Sequence, residues 1–359
     1  PQLGAAAMEA ALACAGAGPQ DIDEGLMGCA LPAGQGQAPA RQAALAAGLP
    51  DSAPCATINK MCGSGMKALM LAHDSLIAGS AAMVLAGGME SMSGAPYLIP
   101  KARSGVRMGP VAIEDHMFLD GLEDAYDEGQ LMGVFAEETA KKFGFSRKKQ
   151  DAYAIESLKR ALEADFAPEI TPIAVNGETI ETDQHPRTAD PDKIPHLKPA
   201  FKDGGTVTAA NSSSISDGAA ALVLTSLAEA ERRGLAPLAR IVAHATHAQA
   251  PAWFTTAPAG AITKVLEKAG WEMADAGLFE INEAFAVVPM AAMKDLSLPH
   301  EKVNALGGAC ALGHPIGASG ARIVVTLLNA LQSRGLKKGV AALCIGGGEA
   351  TAMAVELMT

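Results

Sequence analysis

Cys62-Gly63-Ser64-Gly65, a helix-patterned run, and then Val84-Leu85-Ala86-Gly87-Gly88-Met89-Glu90 form a unit that recurs far down the chain. In the second copy Gly317-Ala318-Ser319-Gly320 leads through another helical run to Leu343-Cys344-Ile345-Gly346-Gly347-Gly348-Glu349. Upstream of each, a helical pattern ends, near Gly18 in the first copy and at Gly270 in the second, and eight residues after that glycine Leu26 or Leu278 opens an extended segment. Gly18 to Gly65 covers 47 residues and Gly270 to Gly320 covers 50, and this near-agreement marks an internal duplication.

Each copy alternates helical and extended patterns, which predicts βαβ units and a largely parallel sheet covered by helices. After Gly63, the apolar residues Met66, Leu69, Met70, Leu76 and Ile77 recur at three- and four-residue spacing and predict a buried helical stripe. The Val84 run predicts a short buried strand. Two such sheets sharing a helix layer would make one duplicated α/β molecule. Between the copies, residues 101–203 hold 14 of the 28 Lys and Arg and 20 of the 39 Asp and Glu, the composition of an insertion. Within it, Ser146-Arg147-Lys148-Lys149-Gln150 predicts a helix running to about Ala164, and Pro186 to Pro199 reads as loop. The first half is expected to resume with Val207 and a strand from Asp217 to Leu224.

Composition excludes several classes. At 359 residues, 49% hydrophobic and 19% charged, the chain can bury a sizeable core, with Ala, Gly, Leu, Val and Met packing it because aromatics supply only 4%. A net charge of −11 argues against a nucleic-acid partner, and an anionic ligand would need a local basic patch. Six cysteines without a CxxC pair give neither a disulfide framework nor a zinc module, so no metal is expected and reduced thiols in the cytoplasm are the default. The most apolar stretch, around 339–355, carries Glu349 and does not read as a membrane span. The chain opens at Pro1 with no basic segment of the kind that begins a signal peptide.

Four motifs could carry chemistry. Cys62 lies between an extended segment and a helix, where the helix terminus would favour a thiolate nucleophile; a small buried residue in a tight turn is the other reading. His314 sits in the glycine-rich run Gly307 to Gly317, and Pro315 biases it towards extended backbone, so a neutral imidazole there could take a thiol proton or be a structural loop histidine. Cys344 follows a buried strand and precedes Gly346-Gly347-Gly348, whose N–H groups could bind an oxyanion; by itself it reads as a core cysteine. In Asn282-Glu283-Ala284-Phe285-Ala286, Asn282 could orient a water and Glu283 could cap the following helix. All four are expected at strand-to-helix turns, where doubly wound sheets bind ligands, and the remaining four cysteines are expected in the core.

Taken together, Asn59-Lys60-Met61-Cys62-Gly63-Ser64-Gly65, Asn282-Glu283-Ala284-Phe285-Ala286, Gly313-His314-Pro315-Ile316-Gly317 and Cys344-Ile345-Gly346-Gly347-Gly348 resemble the signatures of the thiolase family, the acetyl-CoA acetyltransferases and 3-ketoacyl-CoA thiolases. The resemblance implies a duplicated thiolase-like fold, two mixed sheets in a layered αβαβα arrangement. It implies an N-terminal half over 1–90 and 205–235, an inserted loop domain over 91–204, and a C-terminal half over 236–359. It implies that Cys62 is acylated by an acyl-CoA with His314 activating its thiol, and that Cys344 deprotonates the methyl of a second acetyl-CoA. Asn282, through a water, and His314 would hold the enolate oxygen, and the N–H groups of Cys62 and Gly346 the tetrahedral oxyanion. That is a reversible Claisen condensation with coenzyme A and acyl-CoA as substrates and no further cofactor.

The same resemblance implies coenzyme A contacts from Ser213, Lys198 and Met132, and a homotetramer, a dimer of dimers, through residues around Pro96 to Pro110. Two departures stand out. The family's first strand, expected at the middle of the first sheet, precedes the point where this chain begins, and Leu131 stands where acetyl-specific members carry a histidine before Met-Gly. Leu131 either widens acyl-chain specificity or packs inside the insertion. The alternatives are a condensing enzyme acting on acyl carrier protein, which uses a second histidine or an asparagine in place of Cys344, and a non-catalytic coenzyme-A-binding paralogue.

Overall fold

In the computed structural model, which describes residues 1–175 and 177–358, two four-stranded sheets sandwich a pair of helices. In the first sheet Glu24–Gly28 (β1) lies between Cys55–Ile58 (β2) and Met83–Ser91 (β3), parallel to both, and Asp217–Thr225 (β4) closes antiparallel on β3. The second sheet comprises Ala239–Ala248 (β5), Leu278–Ile281 (β6), Lys338–Ile345 (β7) and Glu349–Leu357 (β8). Its order is β6-β7-β8-β5, with only the β6–β7 pair parallel. Val303 makes a parallel bridge to Phe279 of β6, in the place that β2 takes beside β1. The orders match strand for strand, except that β8 carries β5 on its far side whereas, among the described residues, no strand pairs with the far side of β4.

This corrects one expectation. The first sheet has no gap at its middle, because β1 bonds β2 and β3 directly. Its open edge is the outer side of β4, where a groove of about 1070 Å³ runs between the strand and the first helix, Gln2–Ala15 (α1).

The layering follows from side-chain alternation. In β3, Met83, Leu85 and Met89 point out to α1 and Pro39–Ala46 (α2), while Val84 and Ala86 point in to Ser64–Ala78 (α3). In β7, Val340, Ala342 and Cys344 face the outer helices Ala257–Ala269 (α6) and Val287–Leu296 (α7). Ala341 and Leu343 face the central helix Ile316–Ser333 (α8). Met66, Leu69, Leu327 and Leu331 are fully buried between the sheets, each burial stabilising by about 1.5–3 kcal/mol. The central helices cross in backbone contact, for a Cβ on Gly65 would sit 2.9 Å from the Ala321 nitrogen and one on Gly320 2.3 Å from that of Met66. The fold is therefore the expected αβαβα stack.

Ile77 departs from the predicted stripe and is 77% exposed. The 15 residues of α3 reach about 22 Å, past strands of four and five residues spanning about 17 Å, so its last turn overhangs.

Between β3 and β4 the chain leaves the sheet and builds Met132–Phe143 (α4) and Arg147–Glu163 (α5). The second begins where expected, with Ser146 Oγ accepting the Lys149 N–H. Pro186 to Pro199 is not simply loop: short helical turns occupy Gln184–Thr188 and Pro191–His196, held by Asp190 accepting the Asp192 N–H, buried Ile194, and Arg147 bonding the Ile194 and Leu197 carbonyls. Val207 does not rejoin the first half but packs in the outer core of the second, and the first sheet resumes only at Asp217. Of the four cysteines expected in the core, Cys29 is buried, Cys55 and Cys310 are half-buried, and Cys14 is exposed.

Candidate active site

After β2 the chain turns through Asn59–Gly63 into α3, and Met61 in this turn has φ 49°, a left-handed conformation that costs a non-glycine residue energy. A web of short bonds holds it. Asn59 Oδ1 accepts the Met61 N–H at 3.0 Å, Ser64 Oγ donates to the Met61 carbonyl at 2.6 Å while accepting the Lys60 N–H at 2.9 Å, and the Gly63 N–H donates to the Lys60 carbonyl at 2.9 Å. The result presents Cys62 just ahead of the helix.

The thiolate expected from that position does not form at rest. Burial pushes the Cys62 thiol up to about 11, against the lowering effects of the Gly346 N–H and its own N–H on the sulfur. An enclosed sulfur loses more thiolate solvation than one helix end returns. The two N–H groups that favour the anion come from the two halves of the molecule.

Cys344 occupies the penultimate position of β7, fully buried among Val340, Ala342 and Ala350. Burial, then the proximity of Cys62, raises its thiol well above the ordinary range. Cys344 lies within the strand and not after it, and the glycines that follow make a hairpin to β8 in place of the expected strand-to-helix turn. Gly347 and Gly348 take φ 87° and 86°, and a Cβ on Gly348 would lie 2.3 Å from the Gln249 carbonyl oxygen. Met132, the first residue of α4, covers Gly346, its Sδ 3.6 Å from where a Cβ would stand.

His314 lies between a helical turn, Ala309–Leu312, and α8, again not at a strand-to-helix turn. Its ring is buried, with Nδ1 2.5 Å from Ser319 Oγ. With the Ser319 hydroxyl donating to the Pro315 carbonyl at 2.9 Å, its oxygen can accept from a protonated Nδ1, the tautomer that leaves Nε2 its lone pair. That Nε2 is buried with no protein partner. Burial, aided by the Arg322 charge, pushes His314 down to about 3 and keeps the ring neutral. Two residues on, Ile316 packs in the small cluster that also takes in Cys62.

Asn282 follows β6, its amide nitrogen 3.5 Å from His314 Nδ1 and its Oδ1 buried with no protein partner. Glu283 is not the helix cap that the sequence suggested. It is fully buried and accepts from Tyr153 and Ser157 of α5, from Asn304 and from the Cys310 N–H. Ser213 is tied to the same loop, with its N–H and hydroxyl both donating to the Ala284 carbonyl. Lys198 is exposed and forms no ion pair among the described residues. The structure thus joins Cys62 to Cys344 and Gly346, and His314 to Asn282, while no contact ties Lys198 to either group.

Residues 1–228 match the family described as thiolase, N-terminal domain, and residues 235–357 match thiolase, C-terminal domain. The chain belongs to the thiolase family. This thiolase is 48% identical to a probable acetyl-CoA acetyltransferase of Dictyostelium discoideum, over 99% of this chain and 88% of that protein. It is 47% identical to an acetyl-CoA acetyltransferase of Cupriavidus necator, over 99% and 93%. Among solved structures it superposes on an Ascaris suum thiolase in complex with coenzyme A, Acat5, with TM-score 0.94 and 42% identity, covering 99% of this chain and 93% of that one.

Sequence reasoning missed the residues that hold the thiolase site in shape. Ser319 stood inside the quoted second copy, five residues beyond His314, without a role. Glu90 ended the first copy as the last residue of a strand. It is buried and accepts N–H bonds from Ala30, Leu31 and Gly317, so the end of β3 ties down the entry of α8. Its place at the end of an otherwise apolar strand was the available signal.

Proposed function

We infer that this thiolase catalyses the reversible Claisen condensation of acetyl-CoA with an acyl-CoA, giving a 3-ketoacyl-CoA and coenzyme A, through an acyl-Cys62 intermediate. One observation carries the reading: a half-buried thiol, Cys62, adjoins a fully buried one, Cys344, with the Gly346 N–H on the sulfur of the first, in a site where a neutral imidazole keeps an unpartnered Nε2. Nε2 takes the Cys62 proton as the sulfur attacks the thioester carbonyl, and the Cys62 and Gly346 N–H groups hold the resulting oxyanion. The leaving coenzyme A thiolate takes its proton from Cys344. Proton balance requires this, because Cys344 must become a thiolate before it can remove a methyl proton from the second acetyl-CoA. The imidazolium and an Asn282-bound water stabilise the enolate, which attacks acyl-Cys62. Collapse of that adduct returns the His314 proton to the Cys62 sulfur.

Ser213, Lys198 and Met132 are assigned to coenzyme A binding, Met132 because it covers Gly346 and Ser213 because it is bonded to the Asn282 loop. Tyr97, Ile99, Val106 and Met108 expose their side chains on the 96–110 loop, which supports that loop as the contact of a homotetramer, to be checked by light scattering on a sizing column. Six free thiols support a cytoplasmic location, and a role in fatty acid metabolism follows from the reaction. Among the described residues no helix is long and apolar enough to cross a membrane.

Loss of the acetoacetyl-CoA enolate absorbance on adding coenzyme A tests the activity, and mass spectrometry of the Cys62 peptide tests the intermediate. An acetyl group confined to Cys55 or Cys344 would overturn the assignment. Half-buried Leu131 caps α4 beside Met132, and an apolar wall there stabilises each added methylene by about 0.8 kcal/mol. Acceptance of 3-ketohexanoyl-CoA, reduced in Leu131→His, is the expected sign; a strict four-carbon preference unchanged by the substitution overturns it.

A further inference from the structure

We propose that His73, Asp74 and His244 form a binding site for one divalent metal ion of the zinc class, bridging the two halves of the molecule away from the thiols. His73 and Asp74 lie on the late turns of α3, and His244 lies mid-way along β5. One oxygen, Asp74 Oδ1, stands 3.4 Å from His73 Nδ1 and 2.9 Å from His244 Nε2. The candidate ligand atoms all lie within 4.8 Å of one another. Bonds of about 2.0–2.1 Å at tetrahedral angles set neighbouring ligand atoms about 3.3 Å apart, so the two oxygen–nitrogen edges already have a coordination polyhedron's length. The two imidazole rings stand edge to face with their centroids 5.0 Å apart, and the third edge, between their nitrogens, is no longer than 4.8 Å.

The donor set selects the metal. Two imidazoles and one carboxylate suit zinc, cobalt, nickel or copper, and not magnesium or calcium, which prefer all-oxygen shells. Asp74 is the most exposed of the three, leaving an open side for water to complete four ligands. Binding moves the single proton of neutral His244 from Nε2, where it faces Asp74, to Nδ1, so that Nε2 offers its lone pair to the metal and the Asp74 carboxylate is freed to do the same. Lys268 is the opposing charge, its ammonium donating to the His244 carbonyl at 3.1 Å. A metal here would tie α3, whose first turn follows Cys62, to the second sheet.

The full-length protein, stripped with a chelator and titrated with zinc chloride by calorimetry, should take up one ion per chain at this site. Zinc should also raise its melting temperature. His73→Ala and His244→Ala should each weaken binding tenfold or more and abolish the thermal shift, with turnover unchanged; Asp74→Asn, which keeps the side-chain shape, should weaken it as well. Cobalt substitution should give weak visible bands without the intense near-ultraviolet absorption of a cobalt–thiolate bond. No zinc uptake up to millimolar concentration overturns the proposal, and so does uptake that survives in the His73→Ala/His244→Ala double variant.

Discussion

The two halves hold one another's helix entries, but with different bonds. At the end of β3, buried Glu90 of the first half accepts the Gly317 N–H at 2.8 Å and so secures the entry of α8 in the second. At the start of β8, Glu349 of the second half meets Lys60 in the Cys62 turn of the first at 2.5 Å, a partly exposed ion pair. The duplicated positions have also diverged in chemistry. The first half presents a thiol from its helix entry, and the second presents an imidazole from its helix entry and a second thiol from its strand end. Duplication therefore supplies facing positions, and the residues that fill them are a thiol in one half and an imidazole and a second thiol in the other, which is the division between nucleophile and bases proposed above.

The strongest way to break this division is to remove its nucleophile. Cys62→Ser should lower turnover by about 10³–10⁴-fold with coenzyme A binding retained by calorimetry, because a hydroxyl is a far poorer nucleophile than a thiolate. Cys344→Ala should still load acetyl onto Cys62 but lose exchange of the acetyl-CoA methyl protons with deuterium by about 10²–10⁴-fold, as NMR would read it. Normal exchange would remove Cys344 from the mechanism.

The two straps give a smaller and sharper contrast. Glu90→Gln turns an amide donor towards buried N–H groups and should cost about 1–3 kcal/mol in denaturant unfolding. Glu349→Gln loses a partly exposed pair and should cost under about 1 kcal/mol. Equal costs would deny that the second half depends on the first more than the reverse.

The smallest expected effect is a flat line. With Cys62 up at about 11 and His314 down at about 3, neither group changes protonation between about pH 6 and 9. The resting pair is thiol and neutral imidazole, and single-turnover acylation by acetyl-CoA should be independent of pH across that window. A resting thiolate–imidazolium pair would instead give a bell within it. Stability has the matching signs. A histidine held neutral loses stabilisation as pH falls from about 6.5 towards 3, and a thiol held protonated loses it as pH rises from about 9 towards 11.

Much of this was legible in the order of residues. The paired glycine motifs and nearly equal spacings marked the duplication, and the alternation of patterns marked the layered α/β stack, because burial against a helix layer imposes those periods on any chain that folds this way. The motif residues Cys62, Asn282, His314, Cys344 and Gly346 could be named from the resemblance of their surroundings. Their protonation could not, because it depends on how much water the fold removes, and burial reversed the thiolate that the helix terminus suggested. Ser319 bonding Nδ1 of His314, Glu90 bonding a helix 227 residues away, and Glu283 serving α5 and not its own helix were likewise decided only when distant segments met. A sequence carries the periodicity of its local neighbours, whereas a proton's position and a buried carboxylate's partners belong to contacts that exist only once the two halves have closed on each other.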